Sequence, residues 1–212
     1  MDLPMNAPRQ APAEQHGAAF SLLELLATIA IIALLMSLVV PAINSLLAGT
    51  NLTQGGKTVA DQCLQARQTA SARNSSVEVR LIKLTNVSAQ GYSAMQLWMS
   101  GSSNAETPAA KLVYLPRTVV ISENATPVSK MLSFLTISGT MPAGGAASNA
   151  PYVAFSFRPS GQVVPVVSGT TQRASLFLTV VPSRLAASGT VPANYATVQL
   201  NPDNGSPLLF RP

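Results

Sequence analysis

The chain has 212 residues and a mass of 22.0 kDa, which suits one compact domain and a tail. Only 10% of the residues are charged, against about 25% in a typical globular protein, and the mean hydropathy is +0.29. This composition favours a chain that is bound to a membrane or packed into an assembly over an ordinary soluble enzyme. The net charge is +5, but the basic residues are scattered along the chain, which makes nucleic acid an unlikely partner.

The amino-terminal region divides at Phe20. Residues 1–19 contain three prolines and no periodic apolar face, which predicts a leader. Residues 20–40 form a 21-residue apolar run with one charged residue, Glu24. As a helix this run would be about 32 Å long, close to the ~30 Å hydrocarbon core of a bilayer, so we predict that residues 20–41 are the transmembrane half of a long helix. Because a carboxylate in hydrocarbon costs at least ~2.5 kcal/mol, Glu24 is a candidate functional residue.

Residues 42–75 are predicted to be the amphipathic half of the same helix. Apolar residues recur at spacings of seven, four, three and four, which indicates one buried stripe: Leu52, Val59, Cys63, Ala66 and Ala70. Within this stripe Cys63 is expected to be a small buried apolar residue and not a nucleophile. The pair Gly55-Gly56 predicts a kink or local break, and Arg73-Asn74-Ser75 predicts the end of the helix.

The periodicity changes to two after residue 75, which predicts an antiparallel β domain over residues 76–212. Strands are expected at 77–81, 91–99, 111–121, 153–157, 162–167, 174–181, 195–200 and 207–211. Turns are expected at 158–161 and at 201–205, where a hairpin is favoured over a calcium loop. A small-residue loop is predicted at 138–151, with weaker loops at 100–110 and 183–193. The predicted fold class is α+β, with the long helix packed on a small antiparallel sheet.

Several side chains that could carry chemistry are expected to be structural. Cys63 is the one cysteine and His16 the one histidine, so disulfides, cysteine metal clusters and histidine-based triads are excluded or lost with the leader. The carboxylates are far apart in sequence, so no pair suited to general acid–base catalysis is evident. The strand aromatics are expected in the core more than on a binding face: Tyr92, Trp98, Tyr114, Phe155 and Phe157. We therefore expect no catalytic residue, no metal and no cofactor.

The segment Phe20-Ser21-Leu22-Leu23-Glu24-Leu25-Leu26, followed by an apolar run, resembles the class III signal of type IV pilins and pseudopilins. The resemblance implies cleavage by a prepilin peptidase between Ala19 and Phe20, N-methylation of the new Phe20 amine, and a helix kink at Pro41. The family usually has glycine where this chain has Ala19. The resemblance also implies a single-pass inner-membrane protein with a periplasmic domain. This protein then enters a filament or pseudopilus. The implied partners are prepilin peptidase, other pilin or pseudopilin subunits, the inner membrane and an inner-membrane assembly platform.

The resemblance gives Glu24 a role in subunit assembly that has a physical basis. The positive amine of one Phe20 would pair with Glu24 of a neighbouring subunit, and such a pair is strong in a low-dielectric core and costly to leave unpaired. The pairing would fix the stagger between adjacent helices.

A finer resemblance is carried by the end of the helix and by the β domain. The segment Ala66-Arg67-Gln68-Thr69-Ala70, followed by Arg73-Asn74, is similar to H-type minor pseudopilins and FimT-like minor pilins. The segments around Trp98, at 157–161 and at 195–202 look like the Verru_Chthon cassette protein D family. These likenesses imply a minor structural subunit.

Two alternatives stay open at this point. The anchor could present a binding module, for example one that captures DNA through Arg158 and Arg211, or the chain could be a single-span protein that is never cleaved. The sequence does not distinguish secretion, motility and DNA uptake.

Overall fold

The computed structural model describes residues 21–84, 91–100, 106–124, 129–135, 137–142, 149–164, 176–187 and 190–212. Within these ranges one long α-helix precedes the strands: α1 (Leu22–Arg73), β1 (Val77–Ile82), β2 (Ala94–Ser100), β3 (Glu106–Pro108), β4 (Val113–Tyr114), β5 (Val119–Ile121), β6 (Ile137–Pro142), β7 (Asn149–Phe157), β8 (Val163–Val164), β9 (Leu176–Pro182), β10 (Ala196–Leu200) and β11 (Pro207–Phe210). Short 3-10 helices cover Lys130–Phe134 and Ser183–Leu185. The chain divides into two compact units, Met1–Ile43 and Asn44–Pro212. The predicted bounds of leader, transmembrane half, amphipathic half and β domain remain predictions.

The end of α1 is a Schellman motif. Asn74 has a positive φ of 46°, a conformation that asparagine tolerates better than most residues. The N–H of Ser75 donates to the carbonyl of Ala70 at 3.2 Å, and the N–H of Asn74 donates to that of Ser71 at 3.4 Å. The predicted helix end at 73–75 is confirmed.

The strands of the second unit form two antiparallel sheets. Sheet A has the order β3-β2-β1-β7-β6, with β4 paired to β2 and β8 paired to β7, and sheet B has the order β11-β10-β9-β5. Strand β1 is central in sheet A, where Val79 lies opposite Leu97 on one side and Phe155 on the other. The prediction of a helix followed by an antiparallel β domain is confirmed, and the structure divides that domain into two sheets.

The core of the second unit joins α1 to both sheets. All five residues of the predicted stripe are fully buried: Leu52, Val59, Cys63, Ala66 and Ala70. They form one cluster with inward-facing residues of the two sheets, including Val79 and Phe155 of sheet A and Leu178 and Val198 of sheet B. Burial raises the pKa of the Cys63 thiol to about 12, as expected of an unreactive core residue. The amphipathic helix packed on the β domain was predicted correctly.

The predicted break at Gly55-Gly56 is wrong, because α1 continues through both residues. A Cβ on Gly55 would lie 2.9 Å from Val119 Cγ2 and 3.1 Å from Val180 Cγ1. A Cβ on Gly56 would lie 2.7 Å from a Leu209 methyl carbon. These glycines therefore allow the helix backbone to approach sheet B closely, and the packing offsets their low helix propensity.

The predicted loop at 138–151 is also wrong at both ends, since 137–142 form β6 and β7 begins at Asn149. Gly139 pairs with Tyr152, whose ring lies 3.0 Å from where a Cβ would be. Pairing with β7 and this contact override the small-residue composition of an edge strand. Residues 143–148 lie outside the described residues.

Three further predictions about the β domain need correction. The single strand predicted at 111–121 is divided into β4 and β5 by a turn at 117–118, where the N–H of Val119 donates to the carbonyl of Pro116 at 3.0 Å. The loop predicted at 100–110 contains β3, and that at 183–193 begins with a 3-10 turn. Tyr114, expected in the core, is 52% exposed, because it lies on a two-residue strand at the sheet margin. Phe155 and Phe157 are fully buried, as predicted.

The predicted hairpin at 201–205 is confirmed. The N–H of Asn201 donates to Ser206 O at 3.0 Å, and the Asn201 side-chain oxygen accepts from the N–H of Asp203 at 2.9 Å. Gly205 has a φ of 68° and packs against Phe157, so a side chain at position 205 would be strained. The turn is therefore closed by its own backbone and side chains.

Candidate functional site

The residues predicted to be processed are Ala19 and Phe20, and both lie outside the described residues. Pro41 lies within α1, and the helix continues past it to Arg73. Cleavage at Ala19, methylation of Phe20 and a kink at Pro41 all remain predictions.

Glu24 lies in the first turn of α1 and is exposed. Its backbone N–H donates to the Ser21 hydroxyl at 3.1 Å, so Ser21 caps the helix. The Ser21-x-x-Glu24 spacing is that of a capping box, a signal that is visible in the sequence itself. Ser21 directly follows Phe20, the predicted new amino terminus. The cap therefore starts the helix at Leu22.

The first part of α1 exposes apolar side chains on every side. At least 48% of each of the following remains accessible: Leu22, Leu23, Leu25, Leu26, Ile29, Ile31, Ile32, Leu34, Leu35, Met36 and Val39. Such a surface, without a polar face, is typical of helices that are buried by lipid or by other helices. Among the described residues, no helix meets the length and apolarity required of a membrane span.

Sheet A carries a buried ionic cluster that sequence analysis missed. Arg80 is 3% exposed, and its Nε donates to Glu78 Oε1 at 2.5 Å. Its Nη2 donates to Glu106, which anchors the exposed strand β3. The guanidinium carbon lies 4.3 Å from the centre of the Trp98 ring and 4.4 Å from that of Tyr152. The cluster depends on contacts between strands: the described pairing of β1 with β2 and β7 brings Trp98 and Tyr152 beside Arg80.

The cluster keeps Arg80 charged. Burial lowers the pKa of Arg80, but its hydrogen bonds to Glu78 and Glu106, together with the charge interactions with Glu78 and Tyr152, outweigh burial, so the pKa lies above its ordinary value. Burial raises the pKa of Tyr152 against the opposing charge of Arg80. The Nε and Nη2 donors of Arg80 thus tie β1 to the Glu106 strand within the chain, so the described contacts of the cluster are structural.

The two arginines considered for DNA capture are not brought together. Arg211 donates to Thr53 on α1 and to Asn194 Oδ1 at 3.4 Å. Arg158 donates to Gln162 at 3.3 Å in the turn whose Pro159 carbonyl accepts from Ser71. Positions 53 and 71 are 18 residues apart, or about 27 Å along a helix. The arginines therefore lie beside distant parts of α1 and do not form one basic groove.

A cleft of about 550 Å³ lies beside the first turns of α1 in the second unit. It is lined by Leu47, Ala48, Asn51, Thr118, Val119, Pro182, Ser183 and Arg184. The Asn51 side chain bridges the cleft floor by donating to the Thr118 hydroxyl at 2.9 Å. The lining is mostly apolar, with one cationic side chain at the rim.

No protein-family model matches the chain, and no curated protein is similar in sequence. Among solved structures, the chain is similar to the minor pseudopilin EpsH from the type 2 secretion system of Vibrio cholerae, with 10% identity and a TM-score of 0.43. The match covers 76% of this chain and 98% of the EpsH chain.

Proposed function

We propose that this chain is a structural minor pilin or pseudopilin subunit and not an enzyme. A prepilin peptidase cleaves it between Ala19 and Phe20 and methylates the new amine. The subunit is held in the inner membrane by the first half of α1, with the β domain outside the cytoplasm. An assembly platform then moves it into a type IV pilus or a type II secretion pseudopilus.

The observation that carries this proposal is the exposure of apolar side chains around the whole first part of α1. Fully burying a large apolar side chain stabilises by about 1.5–3 kcal/mol, so the eleven named above, which are about half to four-fifths exposed, represent roughly 10–20 kcal/mol of burial that the described residues do not provide. Lipid before assembly and neighbouring helices after assembly would supply it.

Glu24 gives the proposal its specificity. A carboxylate in an otherwise apolar helix is costly in lipid, and a positive amine from the next subunit would reduce that cost. Glu24 is exposed and makes no described ion pair, so its carboxylate is available for such a partner. The Ser21 cap supports the same arrangement, because the capping residue directly follows Phe20 and the helix begins at Leu22.

Mass spectrometry of the amino-terminal peptide, from protein purified out of its native membrane, tests the proposal. A peptide that begins at N-methylated Phe20 is the expected result. An intact Met1 start, in cells with an active prepilin peptidase, would contradict processing and favour an uncleaved membrane-anchored binding module.

A further inference from the structure

The second unit carries three exposed arginines beside the part of α1 where the chain enters it. We define Arg117, Arg184 and Arg211 as the arginine cluster, and all three side chains are exposed. Arg117 precedes Thr118, which is bonded to Asn51 of the helix, and Arg184 lines the same cleft as Asn51.

Arg211 lies on the other flank of the helix. It donates to Thr53, and its Nη2 lies 3.1 Å from where a Cβ on Gly49 would be. At 100° per residue, positions 49 and 53 point about 200° away from position 51. The three arginines thus flank α1 on two sides over residues 47–53, a length of about 9 Å.

No described carboxylate neutralises these charges. The ion pairs among the described residues join Arg80 to Glu78 and Glu106, and Lys83 to Glu123. Arg211 has only the neutral partners Thr53 and Asn194. Along α1, the residues from Asn44 to Ala60 include no acidic side chain. The cluster therefore places positive charge without a described counterion on both flanks of α1.

We propose that the arginine cluster binds the headgroups of anionic phospholipids at the membrane surface. This inference rests on the membrane anchoring proposed above. Val40, the last residue of the apolar run, is seven residues before Leu47 of the cleft. Charges act over about a Debye length, ~8 Å at physiological ionic strength, so a cluster this few residues from the proposed membrane segment would act on the lipid surface.

The cleft suits the same ligand. Leu47, Val119 and Pro182 offer apolar contact, and Arg184 at the rim offers a guanidinium that binds phosphate in a bidentate manner. An amphiphile with a phosphodiester headgroup matches both features. Binding would orient the β domain on the membrane before the subunit is extracted.

The test uses the full chain in non-ionic detergent, titrated with phosphatidylglycerol or with phosphatidylcholine and followed by native mass spectrometry. The wild type is expected to prefer phosphatidylglycerol. The double variant Arg117→Gln/Arg184→Gln should lose roughly fivefold of this preference per arginine, or about 25-fold, since each basic side chain near an anionic surface contributes a similar amount. Neither arginine makes a described hydrogen bond, so the variant should fold; Arg211→Gln is a second, independent variant.

The matched control is Arg73→Gln/Arg158→Gln, which removes the same charge elsewhere. Arg73 is 20 residues beyond Thr53, or about 30 Å along the helix, so the lipid preference should stay within about twofold of wild type. An equal loss in the control would overturn the inference, because it would reflect net charge alone.

Three other results also decide the question. Equal binding of both lipids by the wild type overturns the inference and leaves the arginines available for an acidic protein surface. Displacement of phosphatidylglycerol by an equal concentration of inorganic phosphate, at constant ionic strength, overturns it in favour of a free-anion site. Liposome flotation distinguishes failure of this inference from failure of the proposed function. A chain that does not float with liposomes lacks the membrane anchor, which contradicts the proposed function. A chain that floats without a preference for phosphatidylglycerol lacks only the headgroup site.

Discussion

The contact between α1 and sheet B can be tested at Gly55. Replacing an exposed helical glycine with alanine normally stabilises a protein by about 1 kcal/mol, because glycine has the larger conformational entropy when unfolded. At Gly55 the added Cβ would lie 2.9 Å from Val119 Cγ2 and 3.1 Å from Val180 Cγ1. Both valines are almost completely buried and stiff, so neither can rotate away freely.

Overpacking a buried contact costs about 1–3 kcal/mol, so the net effect of Gly55→Ala should be a loss of about 1 kcal/mol in the free energy of unfolding. The matched control is Gly49→Ala in the same helix, where the nearest atom is Arg211 Nη2 at 3.1 Å, the end of a flexible side chain. That variant should gain up to about 1 kcal/mol.

Thermal unfolding of the full chain in non-ionic detergent, followed by fluorescence of the single tryptophan Trp98, measures both variants. A change of 1 kcal/mol shifts Tm by about 2–4 °C for a domain of this size, so Gly55→Ala should melt several degrees below Gly49→Ala. If Gly55→Ala is as stable as Gly49→Ala, the helix does not contact sheet B as closely as described.

Three other predictions test separate parts of the chain. Glu24→Ala should leave membrane insertion intact but block incorporation into filaments, as measured by membrane fractionation and by analysis of sheared filaments; normal incorporation would contradict the proposed amine pairing. Arg80→Gln should lower the free energy of unfolding by about 3 kcal/mol, because it leaves Glu78 buried without its cation. Glu106→Gln changes a half-exposed partner of the same arginine and should cost less than about 1 kcal/mol. Circular dichroism melts measure both variants, and equal effects would refute the burial argument. Cys63 should contribute stability that is complete below pH 9 and is lost as the pH rises towards 12, since the folded thiol keeps its proton while the unfolded thiol loses it. Cys63→Ala should flatten that decline in urea titrations at pH 9 to 11, and an unchanged slope would contradict it.

Sequence analysis succeeded where a local period reports directly on burial. The stripe from Leu52 to Ala70 repeats with the helical period, and every member is buried in the core. The alternation in β1 places Val77, Val79 and Leu81 on the core side in the same way. The helix end at Asn74 was also predictable, because asparagine there adopts a positive φ.

The failures share a different cause, because they depend on residues distant in sequence. The local sequence at Gly55 predicts a helix break. The close approach of Val119 and Val180, which are distant in sequence, explains why a glycine is required there. Gly139 reads as a loop residue until Tyr152 covers it from the neighbouring strand. The capping role of Ser21 was a different omission, since its spacing to Glu24 was visible in the sequence.

The two halves of α1 differ in how much of their apolar surface the chain itself can bury. The half after Asn44 has one apolar stripe, and the two sheets of the β domain cover it. The half before it is apolar on all sides, and its described side chains remain exposed. Lipid alone would cover them but would leave the Glu24 carboxylate in an unfavourable environment. Neighbouring helices that each present a positive amine would cover the same surface and also pair with the carboxylate, and for this reason we propose assembly, and not anchoring alone, as the function of the segment.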